Sequence, residues 1–133
     1  MNIVLDTNVL ISATLWQQSV AQKLLAKIVE SGIHTIFSSS EILAEYRRVL
    51  VRDFSFPEEK VSSYIENVLL FVALVNPQVR VNIVEEDPDD NKIIECALES
   101  QADFILSYDK HLLDLKETNG VKILRPEEAL SLI

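Results

Sequence analysis

Cysteine, glycine and proline are all scarce: one, two and four residues in a chain of 133. A single thiol, Cys96, excludes an internal disulfide framework and a thiolate zinc site, and it suits a reducing, intracellular setting. So little glycine and proline excludes the compositions that keep chains disordered. No glycine-rich phosphate loop, dinucleotide fingerprint or Ser-His-acid arrangement is present. Long hydrophobic runs are missing too: the longest, Val68 to Val75, falls far short of a bilayer span. The opening MNIVLDTN has neither a basic stretch nor a long apolar core, so no signal peptide is expected and a cytoplasmic protein is. Positive charge is the last shortage. Lys and Arg number 12 against 21 Asp and Glu, a net charge of −9. That argues against a basic surface that grasps nucleic acid by counterion release. It is compatible with an acidic cluster whose missing positive charge comes from a bound cation, or with a basic partner protein.

What remains is 48% hydrophobic and 25% charged, the balance of an ordinary globular domain, and the length suits one domain over residues 1–133. NIVLD, 2–6, is a β-branched run that ends on an acid and reads as a buried first strand. Helical spacing from Ser19 to Ser31 predicts a helix capped by Ser19 and ended by Gly32. HTIFS, 34–38, reads as the second strand. A helix follows, with Ser38 and Glu41 at capping-box spacing and an apolar stripe of Ile42, Tyr46, Val49 and Leu50. Pro57 opens another helix that carries to about Val75, where Asn76-Pro77 breaks it. The alternation of Val79, Val81 and Ile83 reads as a short strand, and Ile93, Ile94, Ala97 and Leu98 as a helix. DFILS at 103–107 and VKIL at 121–124 read as strands, and Pro126 to Ile133 as a closing helix. Strands alternating with helices predict an α/β protein whose parallel sheet is covered on both faces.

The acids fall where such a sheet places its sites, beyond the carboxyl ends of the strands. Asp6 closes the first strand, the helix fed by the second strand carries Glu41 and Glu45, and Asp109 stands two residues past DFILS. Glu85-Glu86-Asp87-Pro88-Asp89-Asp90 opens the helix before that strand. Each acid also has an ordinary explanation. Asp6 suits a turn, Glu41 completes a capping box, and Arg48 at i+3 would neutralise Glu45. Asp89 or Asp90 caps the next helix, and Asp109 caps KHLLDL. His34 and His111 have no second ligand at useful spacing and are set aside as non-catalytic; Cys96 reads as partly buried, and Trp16 as core or interface.

Carboxylates gathered without a cation repel one another and hold their protons. An oxygen-only donor set suits Mg²⁺ or Mn²⁺, and such ions commonly serve phosphodiester hydrolysis. The alternatives are another Mg-dependent phosphohydrolase and a non-catalytic acidic module that docks a basic protein. An aspartyl-phosphate enzyme wants a second carboxylate two residues past its nucleophile, and that position is Asn8.

IVLDTNVLIS, SSSEILAEYRRVL, DPDDNKIIECALESQADFILSYDKHLL and VKILRPEEAL, together covering roughly Asn2 to Leu130, resemble the PIN-domain ribonucleases. The likeness is strongest to the stand-alone PIN proteins that serve as toxins of toxin–antitoxin pairs. It implies a three-layer α/β/α sandwich around a Rossmann-like parallel sheet, and a Mg²⁺- or Mn²⁺-dependent endoribonuclease with RNA as substrate. It further implies a small antitoxin protein as partner, no membrane association, and a homodimer. It assigns the site to Asp6, Glu45, Asp90 and Asp109, with Glu41 as the alternative to Glu45. Asp6, Asp90 and Asp109 would hold the metal, and Glu45 would hold a second ion or orient the attacking water. Asn8, Ser39 and Ser107 match supporting positions. Asp87 and Asp89 fit the D-x-D-D form of the subgroup and leave the third ligand open among neighbours. Arg47, Arg48, Arg52, Arg80, Lys92 and Lys110 are the local phosphate contacts this reading offers.

Overall fold

The computed structural model describes residues 1–133. Its strands are β1 (Asn2–Leu5), β2 (Thr35–Ser39), β3 (Val72–Val75), β4 (Phe104–Leu106), β5 (Glu117–Thr118) and β6 (Val121–Leu124). Its helices are α1 (Thr7–Leu15), α2 (Val20–Ser31), α3 (Ser40–Phe54), α4 (Glu58–Leu69), α5 (Asn91–Glu99), α6 (Lys110–Leu113) and α7 (Pro126–Leu130). The strands form one sheet in the order β3-β2-β1-β4-β6-β5, parallel except for the short β5, which runs antiparallel to β6.

The apolar runs of the central strands follow from burial on both faces. Ile3 and Leu5 of β1 join Phe104 and Leu106 of β4 in a core packed under α1, α2, α3 and α4, with Ala129 of α7. Val4 and Ile105, pointing the other way, join Ile93, Ile94, Cys96 and Ala97 of α5. These two cores make the expected three-layer α/β/α sandwich. Cys96 is fully buried rather than partly so, and burial pushes its thiol up to about 12. No helix is long and apolar enough to cross a membrane.

Ser19 caps α2 by accepting from the Gln22 N–H, and Gly32 ends it in the left-handed conformation (φ 67°), as the sequence predicts. Four expectations need correction. Helix α1 has no counterpart in the sequence reading, because TNVLISATL scatters its polar residues among the apolar ones and shows no amphipathic stripe. The cap of α3 is Ser39, whose Oγ accepts from the Ile42 N–H, so the Ser38–Glu41 capping box does not form. Helix α4 stops at Leu69, and the apolar run that follows supplies β3, hydrogen-bonded to β2 at the edge of the sheet.

The fourth correction concerns residues 79–83, which do not form a strand. The N–H groups of this arm are taken by side chains of α5 instead. Asn91 Oδ1 accepts from Ile83 (3.0 Å) and Val84 (2.9 Å), Glu95 Oε2 from Val81 (3.0 Å), and Glu99 Oε1 from Gln78 (2.9 Å). Residues 91, 95 and 99 share one helix face, so α5 carries a ladder of acceptors that replaces a neighbouring strand.

Candidate active site

The chain runs outward from β1 to β2 and β3, then returns to place β4 on the other side of β1. The loops after β1 and β4 therefore diverge and open a crevice at the switch point, the position where open α/β sheets bind ligands. Asp6 ends β1 there and caps α1: its Oδ1 accepts from the Thr7 N–H at 2.7 Å. Ser107, completely buried after β4, donates its Oγ–H to Asp6 Oδ2 at 2.6 Å and accepts from the Asp109 N–H at 2.9 Å. Asn8 Oδ1 accepts from the Tyr108 N–H at 3.3 Å. These bonds lace the two loops together across the switch point. Asp109 in turn caps α6, accepting from the His111 N–H at 2.7 Å.

The third wall comes from the acidic run. Asp87-Pro88-Asp89-Asp90 forms a 3-10 turn that leads directly into α5 and brings Asp90 inward. Asp90 is 8% exposed, and its Oδ2 is buried with no hydrogen-bond partner. Ligand atoms of Asp87, Asp90, Asp109 and His111 all lie within 4.8 Å of one another. Helix α3 forms the fourth wall. Tyr46 is fully buried and its hydroxyl bonds Thr14 Oγ1 at 2.8 Å, which fixes α3 against α1 and turns Glu45, one residue earlier, toward the crevice. The resulting cavity of ≈ 640 Å³ is lined by Asp6, Asn8, Glu45, Asp87, Asp90 and Asp109 among others.

Electrostatically the walls oppose one another. Burial raises the Asp6 carboxyl to about 6; its bonds to Ser107 and Thr7 pull the other way, and Glu45 and Asp109 raise it further. Burial also raises Asp90, to about 8, helped by Asp6, Asp109 and Asp87. Without a compensating cation Asp90 therefore keeps its proton at neutral pH. A hard divalent ion fits this donor set: several carboxylates converge, no thiolate is present, and one buried oxygen lacks a partner.

Two of the residues assigned from the sequence stay outside the crevice. Glu41 pairs with Arg80 (2.7 Å), which also pairs with Glu95 (2.9 Å), one turn of α3 before Glu45 and outside the lining of the crevice. Ser39 is spent as the cap of α3. Asp87, expected in a supporting role, lies within the close group of ligand atoms, as does His111, which the sequence reading set aside. Trp16, read as core or interface, is 55% exposed at the cavity wall, so it is not a core residue.

The six bases read as phosphate contacts also fare differently. Lys92 is buried, and its Nζ lies 2.7 Å from Glu45 Oε2, so Lys92 rather than Arg48 neutralises Glu45. Arg47, Arg52, Arg80 and Lys110 are paired with Glu58, Asp53, Glu41 and Asp114. Arg48 lines the cavity and has no acid partner. Nothing local in the sequence marks Lys92: only the fold buries the whole segment from Asn91 to Ala97, and a lysine buried there needs a counter-charge.

The PIN domain family profile matches residues 2–111. The chain belongs to the PIN domain family. Members of that family are generally nucleases that use divalent metals. The chain is similar to the uncharacterised protein MJ1680 of Methanocaldococcus jannaschii, 33% identical over 129 residues that cover 90% of this chain and 77% of the relative. Its fold is similar to that of VapBC2 from Rickettsia felis, solved bound to a DNA fragment from its promoter. The TM-score is 0.67 at 16% identity, over 92% of this chain and 97% of that one. The matched 2–111 region of this PIN domain holds every wall of the crevice, from Asp6 to His111.

Proposed function

We propose that this PIN domain is a Mg²⁺- or Mn²⁺-dependent endoribonuclease, one functional unit over residues 1–133, and the toxin of a toxin–antitoxin pair. The observation that carries the reading is the buried, unpartnered Oδ2 of Asp90 among acids delivered by separate segments to the switch point. Asp90 and Asp109, with Asp6 across the crevice, would hold the ion, and Asp87 adds a carboxylate beside them. When bound, a divalent ion supplies charge to a phosphodiester and acidifies a water. The chain's own groups do the rest. Ser107 and the Thr7 N–H fix both oxygens of Asp6, Asn8 ties the β1 loop to the β4 loop, and Glu45 faces the space where a water would be oriented. Arg48 is the cavity cation left to meet a phosphate, which fits an enzyme whose acidic surface otherwise repels RNA.

The toxin role rests on the fold shared with VapBC2 and on the sequence resemblance, and it brings a small antitoxin protein, a homodimer and a cytoplasmic setting with it. Cleavage of a mixed RNA substrate tests the catalytic reading. Wild type is expected to cleave with Mg²⁺ or Mn²⁺ and to stop with EDTA, and Asp6→Asn to be inactive. Activity that survives both treatments sinks the assignment.

A further inference from the structure

Lys92 is the most buried cation in any ion pair of the molecule, its side chain 10% exposed. It stands on the first turn of α5, two residues past Asp90, and reaches Glu45 on α3. A lysine so placed is tolerated only where its ammonium meets an acid. Glu45 is the acid it meets, and Glu45 lines the crevice. Lys92 itself lines a separate, smaller cavity of ≈ 270 Å³ beside Arg80 and Glu95, so the ammonium approaches Glu45 from behind the crevice.

The acids of the site thus divide. Asp87, Asp90 and Asp109 crowd within 4.8 Å, with His111, and pair with no Lys or Arg; Glu45 lies outside that group and already has a lysine at 2.7 Å. A second divalent ion at Glu45 would share one carboxylate with an ammonium, like charge against like charge in a half-buried setting.

We infer that Lys92 is a built-in cation for Glu45, occupying the role a second divalent ion would fill, so that the site takes one divalent ion. This rests on the metal-dependent reading above. Lys92 is a positioning residue: it holds Glu45 in one place and acts on the reaction only through it.

Counting Mn²⁺ bound to the RNA-free protein, by electron paramagnetic resonance and calorimetry, tests the inference without any turnover. Wild type binds one ion per chain. Lys92→Met leaves Glu45 uncompensated and binds two, whereas Lys92→Arg keeps the charge and binds one. The double variant Glu45→Gln/Lys92→Met removes both partners and returns to one. Circular dichroism establishes that each variant is folded, and Lys92→Gln takes the place of Lys92→Met where the latter is not. Two ions in wild type, one in Lys92→Met, or two in the double variant overturns the inference. Wild type that binds no ion sinks the metal-dependent reading along with it. Wild type that binds one ion and cleaves RNA, with an unchanged count in Lys92→Met, sinks this inference alone.

Discussion

Helix α5 carries two sets of polar groups, and the fold treats them in opposite ways. Along one face, Asn91, Glu95 and Glu99 spend their oxygens on the N–H groups of the 78–84 arm and on Arg80. At the head of the same helix, Asp90 is as buried as Asn91 and Glu95 yet keeps an oxygen that nothing in the protein meets. Buried polar groups without partners are rare because each costs roughly 1–3 kcal/mol, and more when charged. Evolution has met that cost along the arm with hydrogen bonds and left it unmet at the crevice. The satisfied face holds shape, and the unsatisfied residue waits for something from outside. Glu45, neutralised by Lys92, shows that the chain can supply an internal cation when a site calls for one.

Asp90→Asn breaks the contrast most directly. It removes a carboxyl whose charged form is disfavoured by burial and by Asp6, Asp109 and Asp87, while keeping the side chain's size. RNA cleavage with Mg²⁺ is expected to fall by at least about 10³-fold, the scale of losing a charge at the reacting centre. The metal-free protein is expected to become more stable at pH 8, because one member of a mutually repelling group is gone. Thermal melts in EDTA alongside cleavage assays check both halves. A variant that loses activity and melts lower in EDTA would mark Asp90 as structural.

Acidity gives the second way to sharpen the comparison. Asp6 and Asp90 are both raised by burial, to about 6 and about 8. Folded protein therefore binds protons that the unfolded chain has released. Their contribution to stability is fully present below the ordinary carboxylate range and is lost as pH rises through about 6 for Asp6 and about 8 for Asp90. Melts in EDTA are expected to fall on the order of 10 °C between pH 5 and pH 9. Saturating Mg²⁺ flattens the upper part of that decline, and Asp90→Asn removes most of it, because Asp90 carries the larger shift. A metal-free protein most stable at pH 9 would contradict the electrostatics of the crevice.

The parts of this molecule that the sequence discloses are those governed by neighbours along the chain. Ser19 and Gly32 bound α2 by local rules, the buried strands β1 and β4 are short apolar runs between polar turns, and β6 breaks its apolar run only at exposed Lys122. Strand-end reasoning alone brings Asp6 and Asp109 to one edge, and the order of the sheet then explains why they meet. What stays hidden depends on distant partners. Helix α1 shows no stripe because both the sheet and α3 cover it. Val79, Val81 and Ile83 imitate a strand because their alternation is real, but α5 supplies the hydrogen bonds and no strand pairs with them. Lys92 looks like a surface base until α3 brings Glu45 to it, and Glu41 looks like a site acid until Arg80 claims it.

The arm itself gives the mildest test. Asn91→Ala removes the one oxygen that accepts from both Ile83 and Val84, and Val84 is 2% exposed, so water does not readily take its place. Leaving these donors unmet costs about 2 kcal/mol, read as a lower urea midpoint with an unchanged slope. The substitution touches none of the carboxylates at the crevice, yet Asn91 follows Asp90 directly, and the arm leads into the turn that carries Asp87 and Asp90. Amide hydrogen exchange should speed up at Val81, Ile83 and Val84 and leave Leu5 and Leu106 as slow as before. Mn²⁺ affinity should weaken only a few-fold, since Asp109 and Asp6 are held by Ser107 and not by the arm. If exchange instead accelerated equally at β1 and β4, the arm and the switch point would be one cooperative unit, and the division between a satisfied scaffold and an unsatisfied site would not hold.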